Sequence, residues 1–169
     1  MKGSKAVLSL VSIAVVGFLA LGIASTRAFA TAATANLSIG ASVTATCVVG
    51  TTAVSFGSYT GTVISTSGAI TVTCTNSTGY TVSLNAGSTS GGAVNARLMS
   101  GPSSATLGYA LYKDSGMTAL WGDGTTGTAT VTGTGGGSAQ SLPVYGQIPA
   151  AQYPTPGGYS DTVVATVTY

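Results

Sequence analysis

The sequence predicts an all-β fold, an antiparallel sandwich or barrel of short strands. Apolar residues recur at every second position in run after run, which is the strand period. Helix signals are nearly absent. Gly, Thr, Ser and Val dominate, Glu is missing altogether, and outside the first thirty residues no stretch repeats its apolar residues at i, i+3, i+4. Gly- and Pro-rich turn signals separate the runs, as short antiparallel strands require.

The alternating runs can be taken in order. Ala35, Leu37, Ile39, Ala41, Val43, Ala45 and Cys47 occupy successive odd positions with mostly polar residues between them. Ile70, Val72 and Cys74 alternate with threonines, and Tyr80, Val82 and Leu84 follow the turn Asn76-Ser77-Thr78-Gly79. Leu107, Tyr109 and Leu111 form another run, and Val163, Ala165, Val167 and Tyr169 form the last. The Thr/Gly-rich stretch Thr125–Ser138 is expected to be a flexible loop or hairpin tip. No domain boundary interrupts residues 31–169.

The two ends carry the organisation. The alternating segment 31–49 is far longer than the usual strand of about 5–6 residues, and Gly40 marks a place where it could divide. The final run reaches Tyr169, so its edge is expected to lack a covering strand, and no charge protects it. One strand too many at the start and one too few at the end is the expected balance.

Residues 1–30 read as a cleavable export signal. Lys2 and Lys5 precede an apolar run from Ala6 to Ile23, and Ala28-Phe29-Ala30 supplies small residues at −3 and −1. Removing this leader takes Lys2, Lys5 and Arg27 with it. Arg97 and Lys113 then face Asp114, Asp123 and Asp161, so the precursor's net charge of +2 becomes −1. Two cations give no electrostatic footprint for nucleic acid and no polybasic membrane patch. Export would place Cys47 and Cys74 in oxidising surroundings, which favours one internal disulfide over an intermolecular bridge or two free thiols.

Catalytic chemistry lacks its usual residues. There is no His for a Ser-His-Asp triad or an imidazole base, and the three Asp residues each sit beside turn formers. Lys113 sits next to Asp114 in an expected hairpin turn, a poor setting for Ser-Lys chemistry. Two Cys, three Asp and no His give no recognisable metal-ligand cluster, and no cofactor is expected. Gly122-Asp123-Gly124-Thr125-Thr126-Gly127 matches G-x-G-x-x-G by letter, but a strand-like run follows it where a dinucleotide site needs a helix. It reads as a turn. The tyrosines and Trp121 could form a carbohydrate-stacking surface, although core and corner positions suit them better, Tyr159 at a corner before the last strand.

Leu37-Ser38-Ile39 ahead of Cys47-Val48-Val49, then Val54-Ser55-Phe56-Gly57-Ser58-Tyr59 and Ile70-Thr71-Val72-Thr73-Cys74, begin an ordered set of motifs. Leu107-Gly108-Tyr109-Ala110-Leu111-Tyr112, Trp121-Gly122-Asp123-Gly124, Val144-Tyr145-Gly146-Gln147-Ile148-Pro149 and Gly158-Tyr159-Ser160-Asp161-Thr162-Val163 continue it. In this order the chain resembles the spore coat protein U domain family, the subunits of archaic (Csu-type) chaperone–usher pili. The resemblance implies an incomplete immunoglobulin-like antiparallel β-sandwich lacking its last strand, completed by an N-terminal donor strand from another subunit. It implies a donor extension over residues 31–41, with Ala33, Ala35, Leu37 and Ile39 as its groove-filling face, and a pilin domain over 42–169. It places the family's disulfide at Cys47 and Cys74. It makes the C-terminal strand, with Val163, Ala165, Val167 and Tyr169, the docking place of a periplasmic chaperone. An outer-membrane usher, a head-to-tail homopolymer and a cell-surface fibre serving adhesion and biofilm formation complete the implied picture, with no small-molecule substrate. The alternative within the same fold is a self-complemented secreted or coat protein that does not polymerise.

Overall fold

The computed structural model describes Arg27 and residues 29–169. The expected leader, residues 1–30, therefore lies almost wholly outside the described residues. Residues 41–169 form one compact unit that holds every strand described. Residues 29–40 belong to a separate unit, carry no helix or strand, and are exposed.

Eight strands follow in chain order: β1 (Cys47–Thr52), β2 (Ile64–Cys74), β3 (Gly79–Leu84), β4 (Arg97–Ser100), β5 (Thr106–Tyr112), β6 (Val131–Thr134), β7 (Gln140–Ile148) and β8 (Ala165–Thr168). A single 3-10 turn, Pro102–Ser104, separates β4 from β5. The strands form a five-stranded sheet in the order β1-β2-β7-β5-β4 and a three-stranded sheet in the order β6-β3-β8. Every pairing between named strands is antiparallel. The result is an immunoglobulin-like sandwich, all-β as the alternation requires.

The alternation in the sequence becomes the two faces of each strand. Ile70, Val72 and Cys74 on β2, Tyr80, Val82 and Leu84 on β3, and Leu107, Tyr109 and Leu111 on β5 are all buried, while the residues between them face outward. Val144 and Ile148 on β7 and Met99 on β4 complete the core with Trp121. The turn at Thr75–Thr78 carries the chain from one sheet to the other. Thr78 N–H donates to the Thr75 carbonyl at 3.1 Å, and Ser77 takes the left-handed φ of 62°. Cys47 and Cys74 are register partners on β1 and β2 and are joined by a disulfide.

Two expectations are corrected. The long alternating segment 31–49 is not a strand before Cys47. Alternation supplies a face, but a strand needs a paired neighbour, and among the described residues before β1 the hydrogen bonds to the sandwich are those between Thr46 and Thr75 at the end of β2. The Thr/Gly-rich stretch 125–138, expected as a loop, contains β6. Gly133 lies opposite Tyr80 in the ladder, and a Cβ there would come within 2.4 Å of the Tyr80 hydroxyl oxygen. The tyrosine ring thus covers the glycine backbone and stabilises a segment with little side-chain packing of its own.

Candidate functional site

The sandwich core is open along one side. A cleft of about 1130 Å³ runs there, floored by core residues including Ile70, Leu107, Leu111, Val144 and Ile148. The floor is narrow, each of these side chains being 5% exposed or less. Two stretches of backbone border the cleft, residues 51–61 and residues 152–163 with Ala165, and the part of the second from Tyr159 onward forms the rim that leads into β8.

The first rim leaves the end of β1. Val54 and Phe56 turn in against the core, and Phe56 meets Tyr109 edge-on with ring centroids 6.3 Å apart. Their seat is prepared on β7: a Cβ at Gly146 would stand 2.7 Å from Val54 Cγ1 and 2.8 Å from Phe56 Cζ. Tyr59 ends the rim, donating its hydroxyl to the Pro149 carbonyl at 2.6 Å and accepting from Gln152 N–H at 3.1 Å. Between Ala53 and Tyr59 the backbone belongs to no strand.

The second rim leads into β8. Asn85 extends the β3–β8 ladder past its last paired residues. Its N–H donates to the Val164 carbonyl at 3.2 Å, and its Oδ1 accepts Val164 N–H at 2.9 Å. Since Val164 spends both main-chain groups toward Asn85, the pleat turns those of Val163 and Ala165 the opposite way, to the open side. β8 has β3 as its only strand neighbour among the described residues. A strand edge with free N–H and C=O groups therefore borders an apolar trough.

The charged groups at the cleft are held by several partners each. Asp161, on the rim, accepts five hydrogen bonds. Oδ1 takes Ser88 N–H at 2.8 Å, Ser88 Oγ at 3.0 Å, Thr89 N–H at 3.0 Å and Thr89 Oγ1 at 3.0 Å, and Oδ2 takes the Tyr109 hydroxyl at 2.6 Å. Burial raises its pKa, but these donors together outweigh burial and hold it below the usual carboxylate value. The Tyr109 hydroxyl is pushed well up, by burial first and then by its bond to Asp161. Beneath lies Arg97, only 1% exposed. Its Nε donates to the Asn85 carbonyl at 2.9 Å and its Nη2 to the Trp121 carbonyl at 2.9 Å, and burial lowers its pKa.

The residues singled out from the sequence fall in different places. Val163 and Ala165 line the cleft, Val167 packs on the core beyond it, and Tyr169 is exposed. Ala33, Ala35, Leu37 and Ile39 are exposed and belong to no strand, with Leu37 and Ile39 85% and 87% exposed. Asp114 and Asp123 serve turns. Asp114 accepts Ala119 N–H at 2.8 Å, and Asp123 accepts Thr125 N–H at 2.9 Å. The G-x-G-x-x-G letters thus spell an Asx-type turn, as expected. Tyr159 donates to the Thr155 carbonyl at 2.6 Å, the corner geometry expected of it. Among the described residues no three His, Cys, Asp or Glu side chains are grouped to hold a metal. Sequence reasoning missed the first rim, Asn85 and Arg97. The Val54/Phe56 alternation was visible, but a lone Arg or Asn announces no partner.

Comparison with known proteins places this geometry in a family. The Spore Coat Protein U domain model matches residues 33–166. The chain is 33% identical to Protein U of Myxococcus xanthus over 165 residues, covering 87% of this chain and 90% of that protein. A solved chain in the CsuC–CsuE chaperone–tip adhesion subunit pre-assembly complex, from archaic chaperone–usher Csu pili of Acinetobacter baumannii, has the same fold with a TM-score of 0.57. The identity there is 23%, and the match covers 75% of this chain but only 40% of that one.

Proposed function

The chain belongs to the Spore Coat Protein U domain family, and from that membership and its open groove we propose that it is the structural shaft subunit of a chaperone–usher pilus. One observation carries the reading: an apolar trough bordered by a strand edge whose main-chain groups point into it. Such a site accepts an extended peptide by β-augmentation, in which main-chain hydrogen bonds supply affinity and alternate side chains fill the trough.

The donor in this proposal is residues 31–41 of another copy, with Ala33, Ala35, Leu37 and Ile39 facing the floor. Leu37 and Ile39 stand almost fully in water, and burying each in the groove contributes about 1.5–3 kcal/mol. Each subunit gives one strand and receives one, so the contact is heterologous and propagates as a fibre instead of closing into a dimer. A periplasmic chaperone would cover the β8 edge before assembly and an outer-membrane usher would preside over exchange. Adhesion and biofilm formation follow as the tasks of such a fibre at the cell surface.

The test is an unboiled SDS gel of surface-sheared material beside boiled material and a variant carrying L37D and I39D. Shaft assembly predicts a ladder that collapses to monomer on boiling and is absent from the variant. A lone monomer in every lane would overturn it in favour of a self-complemented protein of the same fold.

A further inference from the structure

We infer that Asp161 is the positioning residue of the groove, the group that holds the second rim extended so that a donor strand meets a ready-made edge. The inference rests on the donor-strand reading and adds to it the residue that sets how readily the groove accepts.

Residues 159–164 lie beyond the β3–β8 ladder. Ser160 is pinned to Ser100, the last residue of β4, by main-chain hydrogen bonds of 2.9 and 3.0 Å, but residues 161–163 pair with no strand. Side chains and a loop take the place of a strand. Asn85 supplies one residue's worth of ladder at Val164, and Ser88 Oγ accepts Thr162 N–H at 3.3 Å. Between Ser160 and Thr162 the carboxylate of Asp161 reaches across to the 88–89 loop, binding both main-chain N–H groups and both hydroxyls there. Its other oxygen holds Tyr109, whose ring lies in the groove floor. One carboxylate therefore ties rim, loop and floor together. The loop is shaped to receive it, since a Cβ at Gly87, where φ is +95°, would collide with the Asp161 carboxylate.

Five donors converge on one acceptor, and only an ionised carboxylate satisfies all of them. The two main-chain donors on Oδ1 cannot reorient, so an amide in that place keeps its oxygen on them only by turning its NH2 to Tyr109, whose hydroxyl must then accept, and it gives up the charge that strengthens every one of these bonds. With the anchor weakened, the rim samples conformations in which the Val163 and Ala165 main-chain groups no longer face the trough together. An incoming strand must then order the rim as it binds, and this cost appears in the rate and strength of uptake.

The test uses the full mature chain, unfolded and then refolded at low concentration with a fluorescent peptide of residues 31–41 in excess. Peptide uptake is read by anisotropy, and amide exchange by mass spectrometry. The expected result is uptake about tenfold slower in Asp161→Asn, the factor carried by 1.4 kcal/mol, with protection lost at residues 162–164 and retained in β2. Asp123→Asn, in a turn outside the groove, is expected to behave as wild type. Should Asp161→Asn fail to fold, Thr89→Val with Tyr109→Phe removes two of the five donors and leaves the carboxylate and the Ser88–Thr162 bond in place, and slowing of about threefold is expected. Wild-type uptake with an unchanged Asp161→Asn rate, or an unchanged double-variant rate, overturns the positioning role and leaves the donor-strand reading standing. No uptake by wild type overturns that reading, and this inference with it.

Discussion

Single residues decide this fold where polar groups are buried. Arg97 binds the carbonyls of Asn85 and Trp121 and stands 3.4 Å from that of Leu84, while Trp121 Nε1 donates to the Val82 carbonyl at 3.1 Å. Together they satisfy the end of β3 and the crossing of the chain beside it. Arg97→Ala strips several buried acceptors at once, and we expect a loss of about 3 kcal/mol in urea unfolding, since each stranded group costs about 1–3 kcal/mol. Asp161 gives a second residue-scale expectation. Its folded pKa is depressed, so the unfolded chain binds the proton more readily. The stabilisation is complete above the ordinary carboxylate value near 3.9 and is lost as pH falls through the lower folded value. Acid titration of Tm should therefore show a decline below about pH 4 that is reduced in D161N. Neither residue was legible beforehand. A lone Arg in a charge-poor chain looks like a surface cation, and an Asp beside Gly and Ser looks like a turn, because the partners lie 12 to 24 residues from Arg97 and 52 to 73 from Asp161.

Elements were more readable than residues, and the misreadings share one physical cause. Runs such as Ile70-Val72-Cys74 and Leu107-Tyr109-Leu111 carry their own burial pattern, so periodicity alone identified β2, β3 and β5. Residues 31–46 have the same periodicity and form no strand, whereas the Thr/Gly stretch has little and contains β6. Pairing made the difference in each case, and pairing is non-local. The groove was half legible for the same reason. The bare edge of the last strand could be expected from the sequence, but not that residues 53–59 would form the opposite rim on the space left by Gly146. At this scale the disulfide gives the sharpest expectation. It ties β1, an edge strand, to β2 across 27 positions. Cys47→Ser with Cys74→Ser should cost roughly 3–4 kcal/mol in the chain-entropy model, measured as a fall in the urea midpoint. Because β1 leads directly into the first rim, the same variant should also take up donor peptide more weakly.

At the scale of the whole molecule the low charge sets how a fibre would respond to its surroundings. Residues 31–169 carry only Arg97, Lys113, Asp114, Asp123 and Asp161. Of these, Arg97 is buried, and the three carboxylates are held by donors within the subunit. The groove floor is apolar and its rims offer main-chain groups, while the proposed donor face is Ala33, Ala35, Leu37 and Ile39. The proposed donor segment, residues 31–41, brings no charged side chain to the groove, so that contact holds no side-chain ion pair to be screened. Donor-strand contacts of this kind depend on apolar burial and hydrogen bonds, so raising NaCl from about 0.05 M to 1 M, which shortens the Debye length to about 3 Å, should leave the fibre's dissociation temperature within a few degrees. Ammonium sulfate should raise it, because excluded salts strengthen apolar burial. A steep fall in NaCl would show that charged groups bridge the subunits and would contradict a groove filled by an uncharged strand. Substituting Leu37 with Ala tests the same balance from the other side. It removes burial without adding charge, and should lower the dissociation temperature equally at both salt concentrations.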